Sequence, residues 1–85
     1  MSKRKHLSEK ESLWLERVKK YLITYDDDYL CSWWLRLEYK NDTEPLSTPQ
    51  INYILRKLVT RGLLKMQTNK SYTRFSLEEI INQVI

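Results

Sequence analysis

Six basic side chains fall in one short stretch of the chain that contains no acidic residue. Between Ser47 and Ser76 there is no Asp or Glu, whereas Lys and Arg occur repeatedly. The basic residues are Arg56, Lys57, Arg61, Lys65, Lys70 and Arg74. Ammonium and guanidinium groups bind anions such as phosphate through charge-assisted hydrogen bonds. A second basic zone, Lys3, Arg4 and Lys5, lies in residues 1–7, which we expect to form a flexible arm.

The remainder of the chain is acidic. Residues 6–46 carry nine Asp and Glu against six Lys and Arg, and Glu78 and Glu79 follow the basic stretch, so that the total is +4. Two basic zones therefore flank an acidic body. This distribution is typical of a protein that meets a polyanion with one side. An ordinary solvated, charged surface is the alternative interpretation.

The residue types needed for catalysis or metal binding are scarce. The chain has one histidine, His6 in the arm, and one cysteine, Cys31. Three consecutive acids, Asp26, Asp27 and Asp28, could ligate a metal only with further ligands, so we interpret them as a helix start with Asp28 as N-cap. We therefore expect neither an enzyme nor a metal or cofactor site.

The length and composition favour one small, largely helical domain over residues 8–85. The chain has 85 residues, one glycine and two prolines, which argues against an all-β or loop-rich fold. Neither a membrane-spanning segment nor a signal peptide is evident. We expect a soluble, cytoplasmic protein that would associate with the nucleoid if it binds DNA.

The clearest element is a helix over about residues 48–61. Ser47 and Gln50 have the spacing of a capping box, in which each side chain bonds a free backbone N–H of the first turn. Pro49 falls in that turn, where its missing N–H costs nothing. Gly62 then supplies a C-terminal stop.

One face of this predicted helix is apolar and the other is polar and basic. The apolar positions are Ile51, Ile54, Leu55, Leu58 and Val59, and the outward ones are Gln50, Tyr53, Arg56, Lys57 and Thr60. The spacing places the apolar set against a core. An outward-facing tyrosine exposes its apolar ring to water, which is unfavourable without a partner. We therefore interpret Tyr53 as an interface residue.

The period changes from 3.6 to 2 after Gly62, which predicts a β-hairpin over about residues 63–76. With Asn69 and Lys70 as a two-residue turn, the predicted pairs are Leu64–Phe75, Lys65–Arg74, Met66–Thr73 and Gln67–Tyr72. Two cations directly across a hairpin repel each other. An anionic partner over that face would explain the Lys65–Arg74 pair.

Two helices precede these elements. Ser8 and Glu11 make a second capping box, which predicts a helix over about residues 9–24. Another is expected over about 29–40, although its first residues could form a short strand instead. We expect its buried stripe to be Leu30, Trp33, Trp34 and Leu37, with Cys31, Leu35 and Tyr39 on the other side. Together with Trp14, both tryptophans are assigned to the core.

A short C-terminal helix is predicted over about residues 77–85, opened by a third capping box formed by Ser76 and Glu79. Its apolar face comprises Leu77, Ile80, Ile81, Val84 and Ile85. That face either docks onto the body of the domain or contacts a second subunit or a protein partner.

The stretch LSTPQINYILRKLVTRGLLKMQ followed by SYTRFSL resembles the winged helix-turn-helix of bacterial and phage transcription regulators, in particular the MarR- and PadR-like groups. In those proteins a recognition helix opened by Ser or Thr ends in leucine, three residues, glycine and leucine. A wing follows, with an aromatic residue on its return strand. Leu58, Gly62 and Leu63 match that run, and residues 72–77 match the return strand.

The resemblance implies a mainly α fold with a small β-hairpin wing: three helices, the wing and a short C-terminal helix. It also implies binding of double-stranded DNA by a small transcription regulator. The expected contacts on the recognition helix are Ser47, Thr48, Gln50, Tyr53, Arg56 and Lys57, with Gln50 suited to adenine and Arg56 to guanine. Lys65, Lys70 and Arg74 on the wing and Lys3, Arg4 and Lys5 in the arm would hold the backbone.

A protein-interaction module without DNA binding is the competing hypothesis. Some winged helices bind protein, and a small phage or plasmid factor could contact a host protein through its acidic body or its apolar C-terminal face. The two hypotheses differ in their dependence on salt and on Arg56 and Lys57.

Overall fold

A computed structural model describes residues 7–69 and 71–77. Within them the chain forms three helices and one antiparallel hairpin, a mainly α arrangement as expected. The elements are α1 (Glu9–Thr24), α2 (Ser32–Glu38), α3 (Thr48–Thr60), β1 (Leu64–Thr68) and β2 (Thr73–Leu77). The predicted arm, residues 1–7, lies outside this description except for Leu7.

Side chains from all five elements and from the segment before α2 meet in one core. Its buried members are Trp14, Leu15, Val18, Leu22, Leu30, Leu35, Ile51, Ile54, Leu55, Leu58, Leu63, Leu64 and Phe75. The apolar face predicted for α3 is confirmed, with Val59 partly buried at its margin. Trp14 is buried as predicted. Burial of this face sets which side of α3 is left for solvent.

The predicted bounds of α1 and its capping box are confirmed. The Glu11 N–H donates to Ser8 Oγ at 3.1 Å, and the Ser8 N–H donates to Glu11 Oε1 at 2.9 Å. After the C-cap at Tyr25, Asp26 has a φ of 53°. This left-handed conformation, which Asp tolerates better than most residues, turns the chain away from the helix axis.

The N-terminus of α2 differs from the prediction. The helix begins at Ser32, its N-cap is Cys31, and no side chain caps it, so the assignment of Asp28 as N-cap is wrong. The chain is instead extended at Leu30, which exchanges two backbone hydrogen bonds of 2.8 Å with Phe75. An isolated β-bridge at Leu30 therefore precedes the second helix in place of the short strand considered as the alternative.

The prediction for the buried face of α2 is wrong in part, although Leu30 is buried as expected. Leu35 is fully buried, whereas Trp33 and Leu37 are 51% and 48% exposed. Trp34 is partly buried. The predicted stripe counted helical spacing from Leu30, but Leu30 is paired in an extended segment and therefore does not share the helical phase.

A cation–π cluster fixes the turn after α2 to α1. The Arg17 guanidinium lies 4.7 Å from the Trp14 ring centroid and 4.2 Å from that of Tyr39. Its Nη2 also donates to Asp42 Oδ2 at 3.2 Å. Arg17 is thus enclosed by two rings and a carboxylate, an arrangement that favours a guanidinium.

The hairpin forms, but its predicted register is wrong by two residues. The observed pairs are Leu64–Leu77, Lys65–Ser76, Met66–Phe75, Gln67–Arg74 and Thr68–Thr73. The Asn69 side-chain oxygen accepts hydrogen bonds from the N–H groups of Ser71 and Tyr72, at 2.8 and 3.1 Å. This side-chain cap supports a longer loop than the two-residue turn that was assumed. Because the shift is even, each residue keeps its face.

The predicted start of the C-terminal helix is also wrong. Ser76 and Leu77 belong to β2, and the other residues of that helix lie outside the described part of the chain. Over the described residues, none of the helices has the length and apolar character needed to cross a bilayer.

Candidate nucleic-acid interface

The first turn of α3 has the predicted capping box. The Gln50 N–H donates to Ser47 Oγ at 3.4 Å, and Gln50 Oε1 accepts from the Ser47 N–H at 2.8 Å. The Ser47 hydroxyl also donates to Gln50 Oε1 at 3.1 Å, and Pro49 lies in the same turn. The carboxamide oxygen of Gln50 is therefore occupied by the cap, which leaves its amide nitrogen for an external acceptor.

The outward face of α3 carries exposed aromatic and basic side chains. Tyr53 is 61% exposed, and Arg56 and Lys57 are also exposed. The Lys57 ammonium lies 5.1 Å from the centroid of the Tyr53 ring. This cation–π contact orients both side chains on one side of the helix while leaving them accessible.

A groove of about 390 Å³ runs between the start of α1 and this face of α3. Lys10 of α1 lines it opposite Tyr53 and Lys57, while Leu46, Pro49 and Ile54 contribute apolar surface. Lys10 is a basic group that the sequence analysis did not assign to the interface. Lys10 reaches the groove only because α1 packs on α3, and no local sequence pattern predicts that packing.

Arg61 and Arg74 make side-chain contacts within the fold. Arg61 Nε donates to Glu11 Oε2 at 3.3 Å. Arg74 donates to Gln67 Oε1 at 2.9 Å, and its guanidinium lies 4.4 Å from the Tyr29 ring centroid. Both guanidinium groups therefore contribute to the fold, and Arg74 remains partly accessible on the hairpin.

The remaining wing residues are distributed differently from the prediction. Lys65 is exposed on β1 and faces Ser76 across the hairpin, not Arg74. The Lys65–Arg74 pair predicted from the sequence is therefore absent from the hairpin, and it gives no support for an anionic partner. Lys70 and the arm residues Lys3, Arg4 and Lys5 lie outside the described residues. The apolar C-terminal positions Ile80, Ile81, Val84 and Ile85 also lie outside them.

A hydrogen bond holds α2 against α3 behind this surface. Ser32 is buried, and its hydroxyl donates to Asn52 Oδ1 at 3.0 Å. The bond joins the first residue of α2 to the first half of α3. It fixes the crossing of the two helices, so the exposed side of α3 is presented in one orientation.

One carboxylate, that of the buried Glu11, lines the groove and bonds Arg61, whereas a group of exposed acidic side chains lies away from it. Asp26, Asp27 and Asp28 are exposed after α1, and Glu38 is exposed at the end of α2. The residues that α3 and the hairpin contribute include no carboxylate. No group of His, Cys, Asp and Glu in residues 7–69 and 71–77 has a metal-binding arrangement.

Comparison with known proteins gave no further assignment. No family model, curated protein or solved structure matched the chain.

Proposed function

We propose that the protein binds double-stranded DNA as a winged helix-turn-helix regulator. In this arrangement α3 is the recognition helix and the β1–β2 hairpin is the wing. The observation that carries the proposal is the exposed face of α3, where Tyr53, Arg56 and Lys57 project from a rigidly capped helix. An α-helix fits the major groove of B-DNA and can bring such side chains to base edges and phosphates.

The residues of this surface are suited to different DNA contacts. Arg56 is exposed and its guanidinium can donate two parallel hydrogen bonds to guanine. Lys57 and Lys10, which lie on either side of the groove, suit phosphates. Gln50 uses its oxygen in the cap, so we assign it mainly to orienting the helix and only its amide nitrogen to the DNA.

The wing contributes affinity more than sequence reading. Lys65 is exposed, and Arg74 is partly exposed beside Tyr29 and Tyr72. Both can neutralise backbone phosphates next to the groove that α3 occupies. One small domain covers a short site, so a specific regulator of this size would bind as a dimer or beside a partner.

The test is fluorescence anisotropy of a labelled random 25-base-pair duplex over a salt series. If five to eight phosphates are neutralised, log K should fall against log[salt] with a slope of about −4 to −7. Arg56→Ala should weaken binding about tenfold or more. Lys20→Ala removes the same charge from an exposed position on α1, and should change affinity less than about twofold.

Two results would contradict the proposal. One is an absence of binding at low salt. The other is equal loss of affinity in Arg56→Ala and Lys20→Ala, which would indicate that net charge, and not the face of α3, determines the interaction.

A further inference from the structure

An aromatic cleft with an acidic rim lies between the C-terminal halves of α1 and α2. Its volume is about 380 Å³, and its lining residues are Tyr21, Tyr25, Asp27, Trp34, Leu37 and Glu38. None of these residues belongs to α3 or the hairpin. The cleft is therefore separate from the interface proposed for DNA.

The rings in the cleft form a connected wall. The Tyr21 ring centroid lies 4.5 Å from that of Tyr25 and 6.4 Å from that of Trp34. Tyr25 is 49% exposed, while Tyr21 and Trp34 are only partly exposed beneath it. Ring faces carry negative quadrupole density, so a wall of this kind attracts a cation.

Carboxylates reinforce that preference. Asp27 and Glu38 line the cleft, and Glu38 Oε1 accepts a hydrogen bond from the Tyr25 hydroxyl at 2.8 Å. Burial, and then the nearby charges of Asp27 and Glu38, raise the pKa of Tyr21. The cleft therefore combines a negative potential with apolar surface.

Elsewhere in the chain, aromatic rings of this kind contact arginine side chains. Arg17 lies over Trp14 and Tyr39 and pairs with Asp42. Arg74 lies over Tyr29 and Tyr72. Each guanidinium thus contacts two aromatic rings. Over the described part of the chain, no Lys or Arg lies against the rings of Tyr21, Tyr25 or Trp34 in this way.

We propose that this cleft binds an arginine or lysine side chain from a basic segment of a partner protein. The cation would stack on Tyr21 and Tyr25 and pair with Asp27 and Glu38. Apolar surface continues from Leu37 in the cleft to Trp33, whose ring centroid lies 6.0 Å from that of Trp34. Leu37 and Trp33 are both about half exposed, which suits the stem and neighbours of a peptide residue. The acidic rim repels nucleic acid, so the cleft stays open to a protein partner when DNA occupies α3.

A fluorescein-labelled peptide of sequence GRGRGRG, acetylated and amidated, is the probe, and its anisotropy is measured at low salt without DNA. The wild-type chain should bind it, and a matched GEGEGEG peptide should not bind. Tyr25→Ala and Glu38→Gln should each weaken binding about fivefold or more. Tyr25→Phe keeps the ring and should stay within about twofold of wild type.

The control is Glu16→Gln, which removes one exposed carboxylate elsewhere on α1, and it should leave the affinity for the arginine peptide unchanged. The amide spectrum of 15N-labelled protein adds a second readout, since the Trp34 indole N–H should shift on titration. Equal losses in Glu16→Gln and Glu38→Gln, or full binding by Tyr25→Ala, would overturn the proposal. Glu38→Gln should keep wild-type DNA affinity, so failure here is distinguishable from failure of the DNA proposal.

Discussion

The Glu11 carboxylate accepts a hydrogen bond from Arg61 Nε at 3.3 Å, joining residues 50 positions apart in the chain. The same carboxylate caps α1 through the Ser8 N–H, and it is 4% exposed. One buried side chain thus links the start of α1 to the C-cap of α3. The orientation of α3 on α1 therefore depends on this contact.

Glu11→Ala should lower the free energy of unfolding by about 2 kcal/mol, because it removes a cap and an ionic hydrogen bond together. Glu11→Gln keeps an acceptor for the Ser8 N–H and should cost about 1 kcal/mol. Urea unfolding followed by tryptophan fluorescence measures both changes. Glu16→Ala breaks the exposed contact with Lys19 and should stay within about 0.5 kcal/mol of wild type. A cost for Glu11→Ala no larger than that of Glu16→Ala would refute the assignment.

Stability should also depend on pH through Glu11. The hydrogen bond from the Ser8 backbone, helped by Arg61 and opposed by burial, lowers the pKa of Glu11 from its ordinary value of 4.5. The stabilisation is therefore complete above pH 4.5 and is lost as the pH falls through the lower, folded-state pKa. Urea unfolding of wild type and Glu11→Gln between pH 3 and 7 should give curves that converge on the acid side. Parallel curves would show that Glu11 is not the titrating group.

Replacing Gly62 by another residue should lower the stability of the fold, because the backbone there is left-handed. Its φ is +79°, and a Cβ at this position would meet no atom within 4 Å. Gly62→Ala should therefore destabilise the fold by about 1 kcal/mol through the left-handed conformation alone. Gly62→Asn should cost less, since Asn tolerates that region. Thermal unfolding by circular dichroism compares the two variants. A neutral Gly62→Ala would show that the helix can end in another conformation.

Cys31 should react slowly in the folded protein. Its side chain is buried beside the Leu30–Phe75 pair, and burial raises the pKa of its thiol. At pH 8 a disulfide reagent such as DTNB should modify it at least about tenfold more slowly than the same chain in urea, where the thiol has its ordinary reactivity. Similar rates in both conditions would mean that the segment around Cys31 is open in solution.

The sequence could predict α3 because every signal for it is local. Ser47, Gln50 and Gly62 lie within or beside the helix, and its apolar face repeats without interruption. Helix α1 shares that property through Ser8 and Glu11. The exposed face of α3, and with it Tyr53, Arg56 and Lys57, follows directly from this local pattern.

Features that depend on contacts between distant residues could not be predicted from local sequence patterns. Leu30 pairs with Phe75, and this contact decides where α2 begins and which side of it is buried. The hydrophobicity of Trp33 predicts a core position, but in the folded chain Leu35 is buried and Trp33 is exposed. The hairpin register failed for a more local reason, because the Asn69 side chain supports a longer loop than the one assumed.

The Leu30–Phe75 pair has a consequence for how the chain folds. Its two residues precede and follow α2, α3 and β1, so the bridge closes a loop of chain that contains the proposed recognition helix and most of the wing. Closing so large a loop costs entropy that only the packed helices can repay. The bridge should therefore form late on the folding pathway. When the protein unfolds, the β1–β2 wing and the packing that positions α3 should be lost together.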